Sequence, residues 1–292
     1  RQGQVDAIEQ GLDILVATPG RLLDLMATGD IHFKALEVFV LDEADTMLDM
    51  GFFNDVQNII AKLPKSRQTL LFSATMPAEI EVLAKAILTK PTKVEISPQT
   101  VTVDLVNQGV YQLEKSNKVP LLFEILKTPE YEKVLIFCKT KYGADIIVNA
   151  LEKELITAAS LHSGKTQAVR EAALQNFKDA NLRVLVATDV AARGIDVDNI
   201  TLVINYNLPE DPRNYIHRIG RTARAGKSGM AISFAVENDV RQLTNIENSI
   251  GQAIPVITEQ PFHKEFAKAP KPAVKKKKAV IKKNKKSNRA RR

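Results

Sequence analysis

The sequence is poor in cysteine and has no long hydrophobic run. Its single cysteine, Cys138, excludes an internal disulfide bond and a cysteine cluster for a metal ion. This residue lies in a predicted strand and is most simply a core thiol. No apolar stretch approaches the roughly 20 residues of a membrane-spanning helix, and the first residues show no secretory pattern. We therefore expect a soluble, cytoplasmic protein without a membrane partner. The chain also does not begin with methionine, which indicates a fragment.

The charge of the chain is concentrated at one end. Of 292 residues 45% are apolar, so the chain has enough apolar sequence for a large core, and its length predicts about two domains. Residues 263–292 carry eleven lysines and three arginines against one glutamate, a charge of +13, which leaves −6 of the net +7 for the rest. Such a basic, aromatic-poor segment is typical of a disordered tail that binds a polyanion, or of a tail that only confers solubility.

Hydrophobic periodicity predicts two doubly wound α/β lobes with parallel sheets. Alternating strands and helices imply a parallel sheet with helices on both faces. The predicted strands are 12–18, 38–41, 69–72, 93–96, 106–113, 134–137, 158–161, 183–187, 202–205 and 230–235. The predicted helices are 22–27, 53–63, 78–88, 118–127, 142–155, 167–177, 213–219 and 239–250. Periodicity lapses near residues 97–103. We place the first lobe at 1–97, a linker at 98–103, the second lobe at 104–255 and the basic tail at 256–292.

The sequence is organised around an apolar strand at 38–41 that is followed by Asp42, Glu43, Ala44 and Asp45. Four apolar residues in a row predict a strand buried on both faces. Ligands bind at the carboxyl edge of such sheets, so these carboxylates are candidates for nucleotide-bound magnesium and for activating water. The alternative is an acidic helix N-terminus that only complements the helix dipole.

Two other segments of the first lobe carry polar residues at strand ends. Thr18-Pro19-Gly20-Arg21 follows a predicted strand, and its free backbone amides together with the arginine suit a phosphate. An ordinary helix start is an equal alternative. Ser73-Ala74-Thr75 follows the strand at 69–72. Because two successive strands end in polar residues, we expect these residues to share one site with the Asp42 cluster.

The second lobe has polar clusters of its own. Thr188 and Asp189 follow a strand, Gly194 permits a tight bend, and Asp196 is suited to accept a hydrogen bond from a ribose hydroxyl. Further on, three arginines are spaced three residues apart: Arg218, Arg221 and Arg224. If their helix continues, they form one row. We favour a row that faces phosphates across a cleft between the lobes over a solvated basic helix face.

The segment Ser163-Gly164-Lys165-Thr166 imitates the end of a Walker A loop. The full pattern G-x-x-x-x-G-K-[ST] needs glycine at position 159, which is alanine here. Strand residues also occupy the place of the phosphate loop. We therefore do not expect a P-loop at this position.

In their order along the chain, these segments resemble motifs of the DEAD-box RNA helicases of superfamily 2. Asp42 to Asp45 is similar to motif II, Ser73 to Thr75 to motif III, residues 187–196 to motif V and residues 217–224 to motif VI. Motif Ib is matched by Thr18 to Arg21, and motif IV by residues 134–139. Gln167 and Arg170 match the Gln-x-x-Arg element. The resemblance covers residues 1 to about 255 and implies two RecA-like lobes, the first one incomplete.

The resemblance implies an ATP-dependent RNA helicase that uses ATP and Mg²⁺. Asp42 would bind magnesium through water, and Glu43 would position the hydrolytic water. Gly194 and Asp196 would contact the nucleotide, and Arg221 and Arg224 the γ-phosphate. Coupling of hydrolysis to lobe closure is implied for Asp45, Ser73, Thr75 and His217. Sequence-independent contacts with single-stranded or short duplex RNA are implied for Thr18, Pro19, Gly20, Arg21, Gln167, Arg170, Thr188 and Asp189. The protein would act as a monomer, by analogy in ribosome assembly or RNA turnover.

The sequence also departs from the family pattern. The Q motif, the Walker A loop and motif Ia would precede residue 1, so we expect this chain alone to bind and hydrolyse ATP poorly. A non-catalytic RNA-binding module or RNA chaperone is therefore the alternative function. We expect residues 1–97 to expose apolar surface and an unpaired sheet edge, and to aggregate or stay partly unfolded, while 104–255 fold alone. Ala223 replaces a usual glycine, with little expected effect.

Overall fold

The computed structural model describes residues 2–95, 106–192, 195, 197–223 and 229–266. The chain divides into two compact units, Arg1–Pro98 and Gln99–Arg292. Each unit is an α/β structure with parallel strands. The predicted linker at 98–103 lies outside the described residues, as does the basic tail from residue 267. Across the described ranges, every helix is too short or too polar to cross a bilayer.

The first unit contains five helices and two strands among its described residues. They are α1 (Gln2–Glu9), α2 (Pro19–Ala27), β1 (Val38–Leu41), α3 (Ala44–Asp49), α4 (Phe53–Ile60), β2 (Gln68–Leu71) and α5 (Ala78–Ile87). β1 and β2 pair in parallel, with Val38 opposite Gln68 and Leu41 opposite Leu71. A small core of side chains from β1, α3, α4 and α5 packs on one face of this pair. Both strands therefore end at the same edge.

The prediction that β1 is buried on both faces is wrong. Leu41 is buried, but Val38 and Val40 are 47% and 51% exposed. Side chains alternate between the two faces of a strand, and the small core covers only the face that holds Phe39 and Leu41. Among the described residues β1 pairs with β2 alone. The expected apolar surface and unpaired sheet edge of this unit are thus present.

The predicted strands at 12–18 and 93–96 are also wrong where they are described. Residues 12–18 are irregular, and Ile14 and Val16 are almost fully exposed. Residues 93–95 are irregular as well, and residue 96 lies outside the described residues. A strand is stabilised by its neighbours in a sheet, and the described part of the chain offers these segments no partner strand.

The second unit contains a six-stranded parallel sheet with helices on both faces, as predicted. Its strands are β3 (Val106–Gln112), β4 (Val134–Phe137), β5 (Ala158–Leu161), β6 (Val184–Ala187), β7 (Leu202–Asn205) and β8 (Gly229–Ala235), in the order β3-β8-β7-β4-β6-β5. Its α-helices are α6 (Lys118–Leu126), α7 (Lys141–Lys153), α8 (Gln167–Lys178), α9 (Asp189–Ala192), α10 (Pro212–Ile219) and α11 (Val240–Ile250). Two hydrophobic cores pack on the two faces of the sheet. The residues of β4, β6 and β7 are all buried.

A segment after α11 covers the outer edge of β3. We call residues 254–266 the strap. At the start of the strap, the Pro255 carbonyl accepts a hydrogen bond from Val110 N at 2.9 Å. Ile257 N donates a hydrogen bond to the Val110 carbonyl, also at 2.9 Å. Near the end of the strap, Lys264 N donates a hydrogen bond to the Gln112 carbonyl at 3.0 Å, and the Phe266 side chain is buried. The prediction that the disordered tail starts at residue 256 is therefore wrong for 256–266, because backbone pairing with β3 was not visible in a polar, proline-containing sequence.

We expect the strap to stabilise the second unit. Fragment 104–255, which lacks residues 256–266 of the strap, should have a free energy of unfolding about 3 kcal/mol lower than that of fragment 104–266, because burial of one phenylalanine side chain contributes about 1.5–3 kcal/mol. Urea titrations followed by circular dichroism measure this difference. Extending the fragment to residue 292 is the control and should change little. Equal stability of 104–255 and 104–266 would contradict the role given to the strap.

Candidate functional site

The carboxylates of Asp42 and Glu43 lie at the carboxyl end of β1, and both side chains are exposed. Glu43 adopts a left-handed backbone conformation, with φ 47° and ψ 48°. This conformation is costly for a residue other than glycine, and it breaks the chain direction between β1 and α3. Asp42 accepts a hydrogen bond from Glu43 N at 2.8 Å. The strained corner therefore places two carboxylate side chains at the edge of the sheet.

Asp45 joins this corner to the end of β2. Its carboxylate accepts hydrogen bonds from Thr75 N at 2.8 Å and from Thr75 Oγ1 at 2.7 Å. The backbone N–H of Asp45 donates to Ser73 Oγ at 3.2 Å, and the Ser73 hydroxyl donates to the Thr75 carbonyl at 2.6 Å. Three predicted site residues from two strand ends thus form one hydrogen-bonded cluster, as expected for a shared site.

The charge of Asp45 is stabilised inside this cluster. Burial of the side chain acts to raise its pKa, but the hydrogen bonds from Thr75, Ser73 and Thr46 outweigh burial, so the pKa lies below its ordinary value of 3.8. Asp45 is therefore ionised at neutral pH. It serves as a fixed acceptor that ties α3 to the segment after β2.

α2 begins at Pro19, three residues before the predicted start at residue 22, and Thr18 is its N-cap. Pro19 is buried in the first turn, while Thr18 and Gly20 are exposed. The guanidinium of Arg21 forms an ion pair with Asp24, and its Nε donates to Gln4 Oε1 at 2.7 Å. In this structure the donors of Arg21 are thus engaged within the unit.

In the second unit, Asp189 and Arg218 meet at the carboxyl edge of the sheet. Arg218 Nε and Nη2 donate to the two carboxylate oxygens of Asp189 at 2.6 and 2.7 Å. Arg218 Nη1 donates to Asn205 Oδ1 at 3.0 Å and to the Asn207 carbonyl at 2.7 Å. The guanidinium also lies 5.0 Å from the ring centre of Phe137. One buried arginine therefore joins α9, the end of β7 and α10.

Arg218 and Arg221 do not share the continuous helix on which the predicted row depends. α10 ends at Ile219, and Gly220 is its C-cap, so Arg221 lies beyond the helix that carries Arg218. Arg218 is only 3% exposed and points into the unit. Arg221 Nη1 donates to the Ile195 carbonyl at 3.0 Å. Arg224 lies outside the described residues, as do Gly194 and Asp196. His217 lies half-buried on α10, and Thr188 precedes α9.

Gln167 and Arg170 lie on the first turn of α8, and Arg170 Nη1 donates to Gln167 Oε1 at 3.3 Å. The loop before them is held by a group that the sequence did not reveal. Asp145, on α7, accepts hydrogen bonds from Ser160, His162 and Lys165, which lie on β5 and in the loop after it. The Ser160 hydroxyl, followed by the other two donors, lowers the pKa of Asp145 strongly. The Lys165 of the Walker-like segment is thus bound within the unit.

The backbone at Ala223 corrects the expectation that this residue has little effect. Its φ is 54°, in the left-handed region. The turn also passes close to β8, because a Cβ built on Gly229 would lie 2.5 Å from Ala223 N. A left-handed residue with a side chain costs about 1–2 kcal/mol, so alanine is strained where glycine would not be.

We expect Ala223→Gly to raise the free energy of unfolding of the second unit by about 1 kcal/mol, because glycine relieves the left-handed strain. Urea unfolding of the two proteins measures this change. Ala150→Gly, in the middle of α7, is the control and should lower stability by about 1 kcal/mol. A loss of stability in both variants would show that position 223 carries no strain.

We expect Thr75→Val to lower the free energy of unfolding at pH 7 by about 2 kcal/mol, because a hydrogen bond to a buried carboxylate is lost. The low pKa of Asp45 gives stability that is present above its unfolded pKa and is lost as the pH falls through the folded pKa. The difference between variant and parent should therefore be smaller at a pH below the ordinary pKa of 3.8 than at pH 7.

Urea titrations at the two pH values measure the effect of Thr75→Val. The matched control is Thr46→Val, because Thr46 bonds Asp45 through its backbone N–H and keeps that bond in the variant. Equal losses for Thr75→Val and Thr46→Val at pH 7 would contradict the importance of the Thr75 hydroxyl.

Comparison with known proteins identifies the family. Residues 1–83 match the profile of the DEAD/DEAH box helicases, and residues 117–226 match the helicase conserved C-terminal domain. The ATP-dependent RNA helicase RhlB of Pseudomonas putida is 48% identical over 254 residues, covering 86% of this chain and 64% of that protein. The DEAD-box ATP-dependent RNA helicase CshA of Bacillus subtilis is 41% identical over 84% of this chain and 50% of its own length.

Solved structures show the same relationship. The structure of Dbp5 from S. cerevisiae bound to RNA and ADP BeF3 has a TM-score of 0.75 at 34% identity, over 83% of this chain and 64% of that chain. The E. coli DEAD-box protein SrmB, bound to regulator of ribonuclease activity A, has a TM-score of 0.53 at 31% identity, over 56% of this chain and 98% of that chain. The chain spans 64% or less of the curated relatives named above. This chain belongs to the DEAD-box RNA helicase family.

Proposed function

We propose that this protein is an ATP-dependent RNA helicase, in which ATP hydrolysis drives the unwinding of short RNA duplexes or the remodelling of RNA–protein complexes. The observation that carries the proposal is the hydrogen-bonded cluster of Asp45, Ser73 and Thr75. It connects the corner that carries Glu43 to the neighbouring strand end, so a change at the reacting phosphate can be transmitted to a second segment of the unit. The activity for which the relatives RhlB and CshA are named supports this assignment.

The proposed nucleotide ligand is ATP, bound together with Mg²⁺. The exposed carboxylate oxygens of Asp42 and Glu43 are the kind of ligand that magnesium prefers. Asp42 would hold the ion through a water molecule, and Glu43 would orient the attacking water and accept its proton. The bound ion supplies positive charge beside the phosphates. Arg221 and Arg224 would contribute further positive charge to the γ-phosphate, and Gly194 and Asp196 would contact the nucleotide.

RNA is the proposed substrate. The protein would bind it independently of its base sequence, through phosphate and 2′-hydroxyl groups. The proposed contacts are Thr18, Pro19, Gly20, Arg21, Gln167, Arg170, Thr188 and Asp189. Backbone amides at the starts of α2 and α8 suit phosphate oxygens. Dbp5 is bound to RNA together with ADP BeF3 in its solved structure, and this supports the pairing of an RNA with a nucleotide here.

Coupling between hydrolysis and RNA release is assigned to Asp45, Ser73, Thr75 and His217. We further propose that the protein acts as a cytoplasmic monomer in ribosome assembly or RNA turnover. The helicase names of its bacterial relatives support an RNA-processing role. We also propose that the first lobe is 1–97, joined by a linker at 98–103 to a second lobe that includes the strap.

A second candidate function is a non-catalytic RNA-binding module or RNA chaperone. Two features of the sequence favour it. The 292 residues contain no G-x-x-x-x-G-K-[ST] segment, and residues 263–292 carry a charge of +13. A polycation binds RNA by releasing counterions and needs no nucleotide for this.

Glu43→Gln tests the catalytic assignment. In a chain extended at its amino end to carry a Walker A loop, we expect this change to lower RNA-stimulated phosphate release by at least about 100-fold. The reason is that a positioned general base accelerates a reaction by about 10²- to 10⁴-fold. RNA binding should persist. The matched control is Glu37→Gln, which lies just before the amino end of β1 and should retain activity.

Phosphate release, measured with and without single-stranded RNA, distinguishes the two functions. Release that does not respond to RNA, or that persists in Glu43→Gln, would contradict the helicase assignment. RNA binding without any phosphate release from the extended chain would favour the non-catalytic module.

A further inference from the structure

Lys118 is a buried cation that lies outside the motif-like segments named in the sequence analysis. It lies in the first turn of α6 and is 3% exposed. Its ammonium group donates a hydrogen bond to the Tyr206 carbonyl at 2.8 Å and lies 5.4 Å from the centre of the Tyr206 ring. Among the residues that the structure describes, no carboxylate forms a salt bridge with it. Lys118 is thus held by a backbone carbonyl and an aromatic face.

A buried charge without a carboxylate partner is unfavourable for stability, and an apolar side chain of similar length would avoid the cost. Burial lowers the pKa of Lys118, and Lys115 acts in the same direction, while Asp239 and Cys138 oppose them. A cost of this kind is offset by the specific contacts that the charge makes. The contacts of Lys118 show what it holds.

The Tyr206–Asn207 backbone lies between two buried cations. Lys118 donates a hydrogen bond to the Tyr206 carbonyl, and Arg218 Nη1 donates one to the carbonyl of the next residue, Asn207, at 2.7 Å. The N–H groups of Tyr206 and Asn207 donate to the Phe137 carbonyl at 3.0 and 3.5 Å. Every polar backbone atom of these two residues therefore has a partner. Their position is fixed from the β4 side by Phe137 and from the helix side by the two cations.

Arg218 connects the Tyr206–Asn207 backbone to Asp189 at the carboxyl edge of the sheet. The same guanidinium that binds the Asn207 carbonyl binds both carboxylate oxygens of Asp189. A planar guanidinium with five donors in a fixed fork cannot move one contact without disturbing the others. A shift of the Asn207 carbonyl would therefore displace the Arg218–Asp189 pair.

We propose that Lys118 is a positioning residue for Asp189, which it places indirectly by holding the Tyr206–Asn207 backbone against which Arg218 is oriented. The functional part of this inference depends on the RNA contact proposed for Asp189. The structural part depends only on the contacts of Lys118 and Arg218. The two parts are tested by different measurements on the same proteins.

Lys118→Met removes the ammonium group and keeps an unbranched apolar side chain of similar length. We expect the Nε–H of Arg218, followed by proton–nitrogen NMR of the full chain, to exchange with solvent about tenfold faster than in the parent. Exchange of the backbone amides of β4 is the internal reference for the global fold and should change much less. The matched control is Lys115→Met, an exposed lysine three residues earlier, which should leave Arg218 unaffected.

Binding of a fluorescein-labelled oligouridine, measured by anisotropy at several salt concentrations, tests the functional part. We expect Lys118→Met to weaken binding several-fold at salt concentrations that suppress the contribution of the basic tail. Asp189→Asn should weaken it similarly, and the double variant should be no weaker than either single variant. Such non-additivity is expected only if Lys118 acts through Asp189.

Unchanged exchange at Arg218 Nε–H in folded Lys118→Met would overturn the proposal. Faster exchange together with unchanged oligouridine binding in both Lys118→Met and Asp189→Asn would support the positioning role and instead refute the RNA contact of Asp189. Additive losses in the double variant would refute action through Asp189. If Lys118→Met does not fold, the same measurement is made on Lys118→Leu, which also removes the donor ammonium group. Faster exchange at Arg218 Nε–H then supports the proposal, and unchanged exchange overturns it.

Discussion

The hydrogen bonding of one buried guanidinium organises the second unit. Arg218 is packed on the ring of Phe137 and binds Asp189, Asn205 and the Asn207 carbonyl. A charged group with five N–H donors is costly to bury unless the donors are satisfied. The partners therefore hold one arrangement, in which α9, the end of β7 and α10 meet at the carboxyl edge. Asp189, a proposed RNA contact at this edge, is held in that arrangement.

The two units position the residues proposed for function by different means. In the second unit, the central strands β4, β6 and β7 are buried on both faces, and the polar residues after them are positioned by a packed sheet. In the first unit β1 is covered on one face only. There the carboxylates are placed by local features instead. These are the left-handed backbone of Glu43 and the hydrogen bonds that connect Asp45 to the segment after β2.

Buried polar groups lie near the proposed functional edge of each unit. Asp45, Arg218 and Lys118 are each almost fully buried, and each bonds to backbone or side-chain groups from another element. Apolar residues would satisfy packing at lower desolvation cost. What polar residues add is direction, since each hydrogen bond accepts only a narrow range of distances and angles. Accurate placement of strand ends and helix starts is therefore obtained at a cost in stability.

Part of the architecture is visible in local patterns. Runs of apolar residues of strand length predicted β4, β6 and β7, and polar residues after two successive strands predicted that Asp45 lies close to Ser73 and Thr75. The same reasoning failed at residues 12–18, because an apolar run becomes a strand only when a neighbouring strand pairs with it. It also failed for Arg218, because regular spacing said nothing about where α10 ends. Lys118 gave no signal, since a lysine in a helical pattern reads as exposed.

The sequence by itself determined the order of the six strands in the second unit, the parallel two-sided sheet that they form and the polar residues that follow its strands. Periods of 2 and 3.6 residues are properties of short windows, so they are readable without the fold. Only the tertiary structure decided which arginine turns inward, which face of β1 stays exposed and where the strap pairs with β3. These outcomes depend on contacts between residues far apart in the chain. Burial and hydrogen-bond partners are set by those contacts and not by the local sequence.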